Sequence, residues 1–307
     1  HAIFAAGLAA AEPGHCVRRA LAVEGNHLRC GTRRLPLDQI STLRVIGAGK
    51  ATAAMAQAAE VILGERIDAG AINTKYDHAL PLKHIETFEA GHPIPDEAGV
   101  AGAQRQLELL AGLDANAVVI ALFSGGGSAL LPAPAPGISL ADKQEATRQL
   151  LACGATIDQI NALRKHLSAA KGGLLARAAA PAQICALMLS DVIGDPLDTI
   201  ASGPTHPDST TFAYCLELID RYDLRQQLPA SVRQRLEAGA GGTLPETPKP
   251  GDPCFADSVS LVVGNSSLAI DAAAAQARAH GYEVLVLTSR LQGEAREAAA
   301  ALTAVAQ

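Results

Sequence analysis

The sequence predicts an α/β protein built on a mostly parallel β-sheet, and three observations indicate this fold class. Short apolar runs that fit strands alternate along the chain with longer segments that have helical periodicity. The run at 117–123, AVVIALF, is apolar at every position, which is typical of a central parallel strand buried on both faces. Glycine-rich turns directly follow several of these runs, at the strand ends where such sheets bind ligands.

The predicted elements alternate in the order that a parallel sheet requires. The segment 26–36 fits an irregular ribbon or a short strand pair, and a helix is predicted to open at Asn265. Asp96 and Ser139 stand where their side chains can cap the helices that follow them. Strands are predicted at 43–46, 70–74, 85–89, 117–123, 184–189, 259–263 and 283–287. The other helices are predicted at 3–11, 13–22, 51–63, 97–112, 140–152, 157–178 (one helix, or two broken at Gly172-Gly173), 210–220, 228–238 and 293–306.

The amino-acid composition indicates which kinds of binding partner and which cellular compartment to expect. The chain of 307 residues is 49% hydrophobic and 18% charged, which allows a large core and argues against global disorder. Aromatic residues make up 3% and the net charge is −6, so no nucleic-acid partner is expected. No apolar run reaches membrane-spanning length, and no basic signal-peptide region precedes the first apolar patch, so no membrane partner is expected. Six cysteines without a CxxC pair fit free thiols in a reducing compartment, which predicts a cytoplasmic protein.

One segment has the composition of a linker. Residues 239–254, AGAGGTLPETPKPGDP, are rich in Gly and Pro. The sequence therefore predicts a boundary close to residue 240, with further strand and helix patterns after it.

The turn Gly47-Ala48-Gly49-Lys50 joins a predicted strand to an alanine-rich helix. Backbone N–H groups and the dipole at the start of such a helix attract an anion, and Lys50 adds a full charge. The turn is an incomplete dinucleotide fingerprint, because Thr52 occupies the last glycine position of G-x-G-x-x-G. Lys50 is therefore interpreted either as a group that neutralises a substrate or transferring phosphoryl group, or as a solvated lysine.

Two further strand ends carry polar loops. Ser124-Gly125-Gly126-Gly127-Ser128 can cradle an anion with backbone N–H groups and hydroxyls, although a plain flexible turn also fits. Asp191 and Asp195 flank a turn after another strand, and paired carboxylates there suit Mg²⁺ or a general base. Turn and cap aspartates are the alternative interpretation of this pair.

A basic face is predicted on the helix that begins near residue 157. Spacings of three and four place polar side chains along one side of it. This face either holds an anion or is simply solvated. Its members are Asn161, Arg164, Lys165, Ser168 and Lys171.

Five segments together resemble the glycerate 2-kinase family, the MOFRL-type glycerate kinases that are often labelled hydroxypyruvate reductases. The resemblance runs from about residue 40 to the end of the sequence, and its motifs are long and ordered. The segments are GAGKATAAMA (47–56), GHPIPDEAG (91–99), SGGGSALLPAP (124–134), GATIDQINALRKHLSAAKGGLLA (154–176) and SDVIGDPLDTIASGPTHPD (190–208).

The resemblance implies an activity and an architecture. The activity is phosphorylation of D-glycerate at the 2-hydroxyl, with ATP and Mg²⁺ or another divalent cation. The architecture is a three-layer α/β/α, Rossmann-like domain, here 1–240, followed by the start of a smaller α/β domain, here 241–307 with the linker. The site is expected in the cleft of this two-domain architecture. Whether the protein forms a homodimer is left undecided at this point.

The resemblance also implies roles for single residues. Lys50 is expected near the substrate and the transferring phosphate, and Asp191 is expected to be the metal or base carboxylate. Asn265 falls on an N-x-x-A-L-like motif that starts the second domain. The residues predicted to bind substrate or phosphate are Gly47, Gly49, Ser124, Gly125, Gly126, Gly127, Ser128, Asn161, Arg164 and Asn265.

The sequence departs from the family in one respect. The family's C-terminal motifs G-G-E-x-T and G-G-R-N-Q-E do not occur in it, and the family is expected to place an arginine in the active site there. Two other interpretations therefore stay open. One is an NAD(P)H-dependent hydroxypyruvate reductase, and the other is a catalytically incomplete fragment that binds a nucleotide or a sugar acid.

Overall fold

A computed structural model describes residues 1–291 and 293–305 as alternating helices and strands. The strands are β1 (Leu21–Glu24), β2 (His27–Cys30), β3 (Arg33–Pro36), β4 (Leu43–Ala48), β5 (Ala69–Lys75), β6 (Ile85–Ala90), β7 (Val118–Ser124), β8 (Gln183–Leu189) and β9 (Ser258–Gly264). The helices are α1 (Ala2–Ala10), α2 (Pro13–Ala20), α3 (Thr52–Leu63), α4 (Glu97–Leu110), α5 (Gly127–Leu130), α6 (Leu140–Ala152), α7 (Ile157–His166), α8 (Leu174–Ala179), α9 (Phe212–Arg221), α10 (Ala230–Ala240), α11 (Ser266–Ala279) and α12 (Ala295–Val305). The predicted α/β alternation is confirmed.

Strands β4 to β9 form one parallel sheet in the order β6-β5-β4-β7-β8-β9. Counted from β4 along the chain, this is the 3-2-1-4-5-6 order of a Rossmann-type doubly wound sheet. The strand order reverses between β4 and β7, which lie side by side. Ligands of such sheets bind beyond the carboxyl ends of the strands at this switch point.

The strand β7 lies at the centre of the molecule, and all seven of its residues are buried. Val119 and Phe123 belong to an apolar core that includes residues of α4 and α8. Val118 and Leu122 belong to a second core that includes residues of α2 and α3. Because alternate side chains of a strand point to opposite faces, the two cores cover the two sides of the sheet. The predicted three-layer arrangement is confirmed.

Local signals located several helix starts correctly. Asp96 accepts a hydrogen bond from Gly99 N (3.0 Å) at the start of α4, and Ser139 accepts one from Asp142 N (3.0 Å) in α6. Asn265 accepts one from Leu268 N (2.9 Å) and caps α11. The ribbon at 26–36 belongs to a three-stranded antiparallel sheet, β1-β2-β3, which is more regular than predicted.

The single long helix predicted at 157–178 is wrong, whereas the alternative of two helices with a break at Gly172-Gly173 is confirmed. Helix α8 begins directly after these glycines, and the break already starts after His166. Helix α7 ends at His166, because the next residues pair with the segment that follows α5. Ala169 N donates to Ala133 O (2.9 Å), and Ala135 N donates to Leu167 O (3.2 Å). Ser168 and Lys171, predicted on the helix face, therefore lie beyond the helix.

The strand predicted at 283–287 is also wrong. These residues have no regular structure, and Leu285 is 82% exposed. Among the described residues, no strand pairs with the outer edge of β9, so this apolar stretch has no ladder to join.

The boundary predicted near residue 240 falls just after α10. Strand β9, which follows it, is the sixth strand of the same sheet as β4 to β8. The division into two domains at this position stays a prediction. None of the helices in the described ranges is both long and apolar enough to cross a membrane.

Candidate functional site

A cavity of about 330 Å³ opens beyond the carboxyl ends of β4, β7, β8 and β9. The loops after these four strands each contribute to it, and small or apolar residues complete its wall. The sheet order thus brings together residues that lie far apart in the sequence. Five of the predicted site residues line it, namely Lys50, Ser124, Gly125, Asp191 and Asn265.

Lys50 reaches this cavity as an exposed cation. Its ammonium group makes no hydrogen bond or ion pair with any residue that the structure describes. The side chain runs beside the glycine loop, where its Cγ lies 3.3 Å from the position that a Cβ at Gly126 would take. Lys50 is therefore available to an anionic ligand.

The backbone at the start of α3 offers less to an anion than the sequence predicted. The N–H groups of residues 49–52 all donate hydrogen bonds within the protein, at 2.9–3.2 Å. Lys50 N donates to Gly125 O, and Ala51 N donates to Ser124 Oγ. What this turn presents to a ligand is therefore the charge of Lys50.

Ser124 holds two elements together. Ser124 is 1% exposed. Its hydroxyl accepts a hydrogen bond from Ala51 N (3.0 Å) and lies 3.2 Å from Thr52 Oγ1. These bonds join the end of β7 to the start of α3. The hydroxyl thus helps to fix the position of Lys50.

Two glycines let the loops approach closer than a side chain would allow. A Cβ at Gly49 would collide with Ser124, and a Cβ at Gly125 would collide with the carboxylate of Asp191. Glycine is required at both positions because the neighbouring loop occupies the space. The result is that Asp191 lies directly against the backbone of the glycine loop.

Two of the other predicted glycines serve packing. Gly47 lies inside β4, where its N–H and carbonyl both pair with the amide of Gln106 at 3.2 and 3.1 Å. A Cβ at Gly127 would come within 2.8 Å of Ala48 O. Neither glycine lines the cavity.

The two predicted carboxylates have different surroundings. Asp191 is exposed and makes no side-chain hydrogen bond with any described residue, whereas Asp195 Oδ2 accepts from Asn265 Nδ2 (2.6 Å). Asp195 therefore orients Asn265 and does not itself line the cavity. The described residues contain no group of three His, Cys, Asp or Glu side chains that could hold a metal. A divalent cation would fit as Mg²⁺ often binds, through one or two carboxylates and ligand oxygens.

His92 is the residue at this site that received no role from the sequence. A Cβ at Gly126 would lie 2.9 Å from its ring. Burial and the charges of Lys50 and Lys75 lower the pKa of His92, while Asp191 acts in the opposite direction. The available signal was its position between a strand end and two prolines.

Ser128 and Asn161 lie on the other side of the glycine loop. Ser128 Oγ is 2.8 Å from Ser202 Oγ, which in turn donates to Asn161 Oδ1 (3.2 Å). Asn161 is buried and lines neither the cavity at Lys50 nor the cavity on the other side of the glycine loop. This chain of hydrogen bonds ties the glycine loop to α7.

Arg164 lines a second cavity of about 560 Å³, together with Ser128, Lys143 and Lys171. The two cavities share no lining residue. Lys165, next to Arg164, instead pairs with buried or half-buried carboxylates. The predicted basic face is therefore divided between a cavity and a buried ion cluster, and Lys143 joins it from α6 without any sequence signal.

The sequence is similar to a described protein family and to several named proteins. Residues 1–237 match the family described as a domain of unknown function, DUF4147. A protein of Agrobacterium vitis that carries a hydroxypyruvate reductase name is 42% identical over 99% of this chain and 64% of its own length. The glycerate 2-kinase of Pyrococcus horikoshii is 38% identical over 97% of this chain and 66% of its own length.

The fold is also similar to that of a solved structure. The crystal structure of glycerate kinase from Thermotoga maritima is similar with a TM-score of 0.83 at 36% identity, covering 99% of this chain and 67% of that chain. The similarity extends over nearly the whole sequence, which confirms the α/β fold. The chain spans less than two thirds of the length of the two curated relatives above.

Proposed function

This chain belongs to the DUF4147 family together with glycerate kinases, and on this basis we propose that the protein phosphorylates D-glycerate at the 2-hydroxyl with ATP. The observation that carries the proposal is the meeting of Lys50 and Asp191 in one cavity beside the glycine loop. Phosphoryl transfer depends on positioning and charge stabilisation more than on covalent chemistry. Lys50 and Asp191, which have no side-chain partners within the described part of the chain, supply both.

The proposal gives each group a role. Lys50 stabilises the negative charge that spreads over the transferring phosphoryl group. Asp191 either accepts the proton of the 2-hydroxyl or binds the divalent cation. Both roles suit a carboxylate that makes no hydrogen bond to any described residue. A divalent cation such as Mg²⁺, when bound, would neutralise phosphate oxygens. Asn265, oriented by Asp195, adds an amide on the opposite side of the cavity.

The first test replaces Lys50 with Met. We expect kcat for ADP formation to fall by about 10²–10³-fold, because Lys50 is the one cationic side chain among the described residues that line the cavity. The melting temperature should stay unchanged, since the Lys50 side chain is exposed and forms no hydrogen bond or ion pair among residues 1–291 and 293–305. Lys83→Met, at another exposed lysine, is the control. Unchanged turnover in Lys50→Met would remove this residue from the mechanism.

Two turnover assays and one binding measurement on the unmodified protein separate the proposed kinase from the alternatives. Formation of ADP and 2-phosphoglycerate from ATP and D-glycerate supports the kinase. Oxidation of NADH by hydroxypyruvate, with no response to ATP, supports a reductase instead. Binding of ATP or D-glycerate by calorimetry without turnover in either assay supports the incomplete binding fragment.

A further inference from the structure

Four cationic side chains line the second cavity. Arg148 is paired with Glu145, and the other three come from separate parts of the fold. Lys143 comes from α6, Arg164 from α7, and Lys171 from the segment between α7 and α8. Lys143 is 5% exposed and Lys171 is 1% exposed, whereas Arg164 is half-buried. Buried lysines of this kind are rare unless an opposite charge accompanies them.

Among the described residues, no carboxylate forms an ion pair with Lys143, Arg164 or Lys171. Lys143 Nζ donates to Leu167 O (3.3 Å) and Lys171 Nζ donates to Ser128 O (2.8 Å), and both acceptors are neutral carbonyls. Within the described part of the chain, the guanidinium of Arg164 has neither a hydrogen bond nor an ion pair.

Lys165 shows that the same segment can pair a buried lysine fully. Its ammonium lies 3.3 Å from Asp208 Oδ1 and 3.5 Å from Asp198 Oδ2. The contrast with its neighbour Arg164 is therefore local and specific. Among the described residues, Lys143, Arg164 and Lys171 have no carboxylate partners like those of Lys165.

The clustering of like charges has an electrostatic cost. Burial, together with the charges of Arg164 and Arg235, lowers the pKa of Lys143 to about 7. Burial, with Lys143 and Arg164 nearby, holds the pKa of Lys171 well below its usual range. A bound anion would offset this repulsion and favour the charged form of both lysines.

The remaining wall of the cavity is partly apolar and its one acid is engaged. Glu145 lies at the rim, but its carboxylate pairs with Arg148 at 2.6 Å. Ile94 and Leu151 line the other side and are 70% and 62% exposed. Pro93, Pro95 and Pro132 extend this apolar side.

We propose that this cavity is a second binding site, for an organic phosphate. The phosphate group would bind Lys143, Arg164 and Lys171, and the organic part would lie against Ile94 and Leu151. A phosphate is favoured over a carboxylate because it carries about two charges and three acceptor oxygens, which match three converging cations. The site does not depend on the proposed kinase activity.

A ligand in this cavity would also touch the loop that borders the first one. Lys171 donates to Ser128 O, and the Ser128 hydroxyl is tied through Ser202 to Asn161. Ser124 and Gly125, at the other end of the same loop, line the Lys50 cavity. The glycine loop is thus a shared wall between two anion sites.

The test is calorimetric titration of the whole chain with inorganic phosphate at pH 8 in chloride buffers. We expect a binding event that persists in Lys50→Met and weakens at least about tenfold in Lys171→Met. Arg164→Met, at a half-buried position, should weaken it similarly and serves if Lys171→Met fails to fold. Lys83→Met, which is exposed, should bind as the unmodified protein does.

Proton exchange gives a second readout. Inorganic phosphate is mostly dianionic at pH 8 and would bind in that form. Any protons taken up from the buffer on binding are therefore taken up by side chains of the protein. Because Lys143 is mostly neutral at pH 8 and a bound anion raises its pKa, we expect uptake in the unmodified protein and less uptake in Lys143→Met.

Several results would overturn the proposal. These are the absence of phosphate binding, binding that is lost in Lys50→Met, and binding that Lys171→Met and Arg164→Met leave unchanged. Malonate binding as tightly as phosphate would also overturn the assignment to phosphates. Titration with 2-phosphoglycerate and with AMP distinguishes a phosphorylated sugar acid from a nucleotide, and tighter binding of either supports the site. Loss of the kinase assay signal would leave these results unaffected.

Discussion

At the scale of single residues, the chemistry of a lysine depends on its surroundings more than on its place in a motif. Lys165 and Lys171 come from the same short basic segment. Lys165 is neutralised by Asp198 and Asp208, whereas Lys171 faces a cavity without an acidic partner. Lys50 differs from both because it is exposed and unpaired within the described residues. These three environments suit a structural ion pair, an anion site and a reaction site, respectively.

Lys143→Met is expected to stabilise the protein. A buried lysine without an acidic partner opposes folding at neutral pH, so we expect the free energy of unfolding at pH 7 to rise by about 1–3 kcal/mol. Met keeps a similar length and needs no partner. The measurement is urea unfolding at pH 7 in chloride buffers.

The pH dependence of this difference has a definite sign. The pKa of Lys143 in the folded protein is about 7, below its value near 10.4 in an unfolded chain. Between these values the unfolded chain binds a proton that the folded protein has released, so the stability of the unmodified protein rises with pH. The advantage of Lys143→Met should therefore shrink from pH 7 to pH 9. A difference in the free energy of unfolding that is the same at pH 7 and pH 9 would contradict a lowered pKa of Lys143. So would a difference equal to that measured for Lys83→Met.

At the scale of elements, single side chains at strand–helix junctions hold the site loops in place. Ser124 joins the end of β7 to the start of α3 through Ala51 N and Thr52 Oγ1. Asn265 stands between β9 and α11, where it caps the helix and is bound by Asp195. The loops that line the cavity are therefore fixed by the same residues that begin the helices.

Two variants at Asn265 separate its roles. Asn265→Ser replaces the amide with a hydroxyl that can accept from Leu268 N, whereas Asn265→Ala keeps neither the cap nor the bond to Asp195. We expect the Ala variant to be less stable than the Ser variant by about 1 kcal/mol, because only Ser caps α11. Chemical denaturation measures the difference. Equal stabilities would show that the cap contributes nothing.

At the scale of the whole molecule, the sheet order decides which loops meet. The reversal between β4 and β7 places the Lys50 turn beside the glycine loop, and β8 and β9 add Asp191 and Asn265. The net charge is −6, so neither of the two proposed anion sites can rely on a general positive field. The cationic side chains that line each cavity would attract the anion instead.

Hydrogen exchange tests this architecture. Amides of β7 should exchange most slowly, because the strand is buried along its full length and pairs on both sides. Residues 283–287 should exchange rapidly, since they have no regular structure and are mostly exposed. Mass spectrometry of deuterated peptides resolves both regions. Protection of 283–287 comparable to that of β7 would show that they form a strand.

Much of the fold could be predicted from the sequence because local signals agree with it. The apolar run at 117–123 predicted the central strand, and Asp96 and Ser139 predicted helix starts correctly. The failures depend on distant partners. Helix α7 ends early because Ala133 and Ala135 pair with the residues that follow it, and the stretch 283–287 has no neighbouring strand to pair with.

For the site, the sequence by itself determined which loops carry polar and glycine residues and that Lys50 and Asp191 follow strands. It also determined the family, since those motifs are long and ordered. Only the tertiary structure decided that Arg164 and Ser128 line a different cavity from Lys50, and that Lys143 joins them. The physical reason is that a side chain's partners are set by the order of strands and the crossing of helices, which spacing along the chain does not encode.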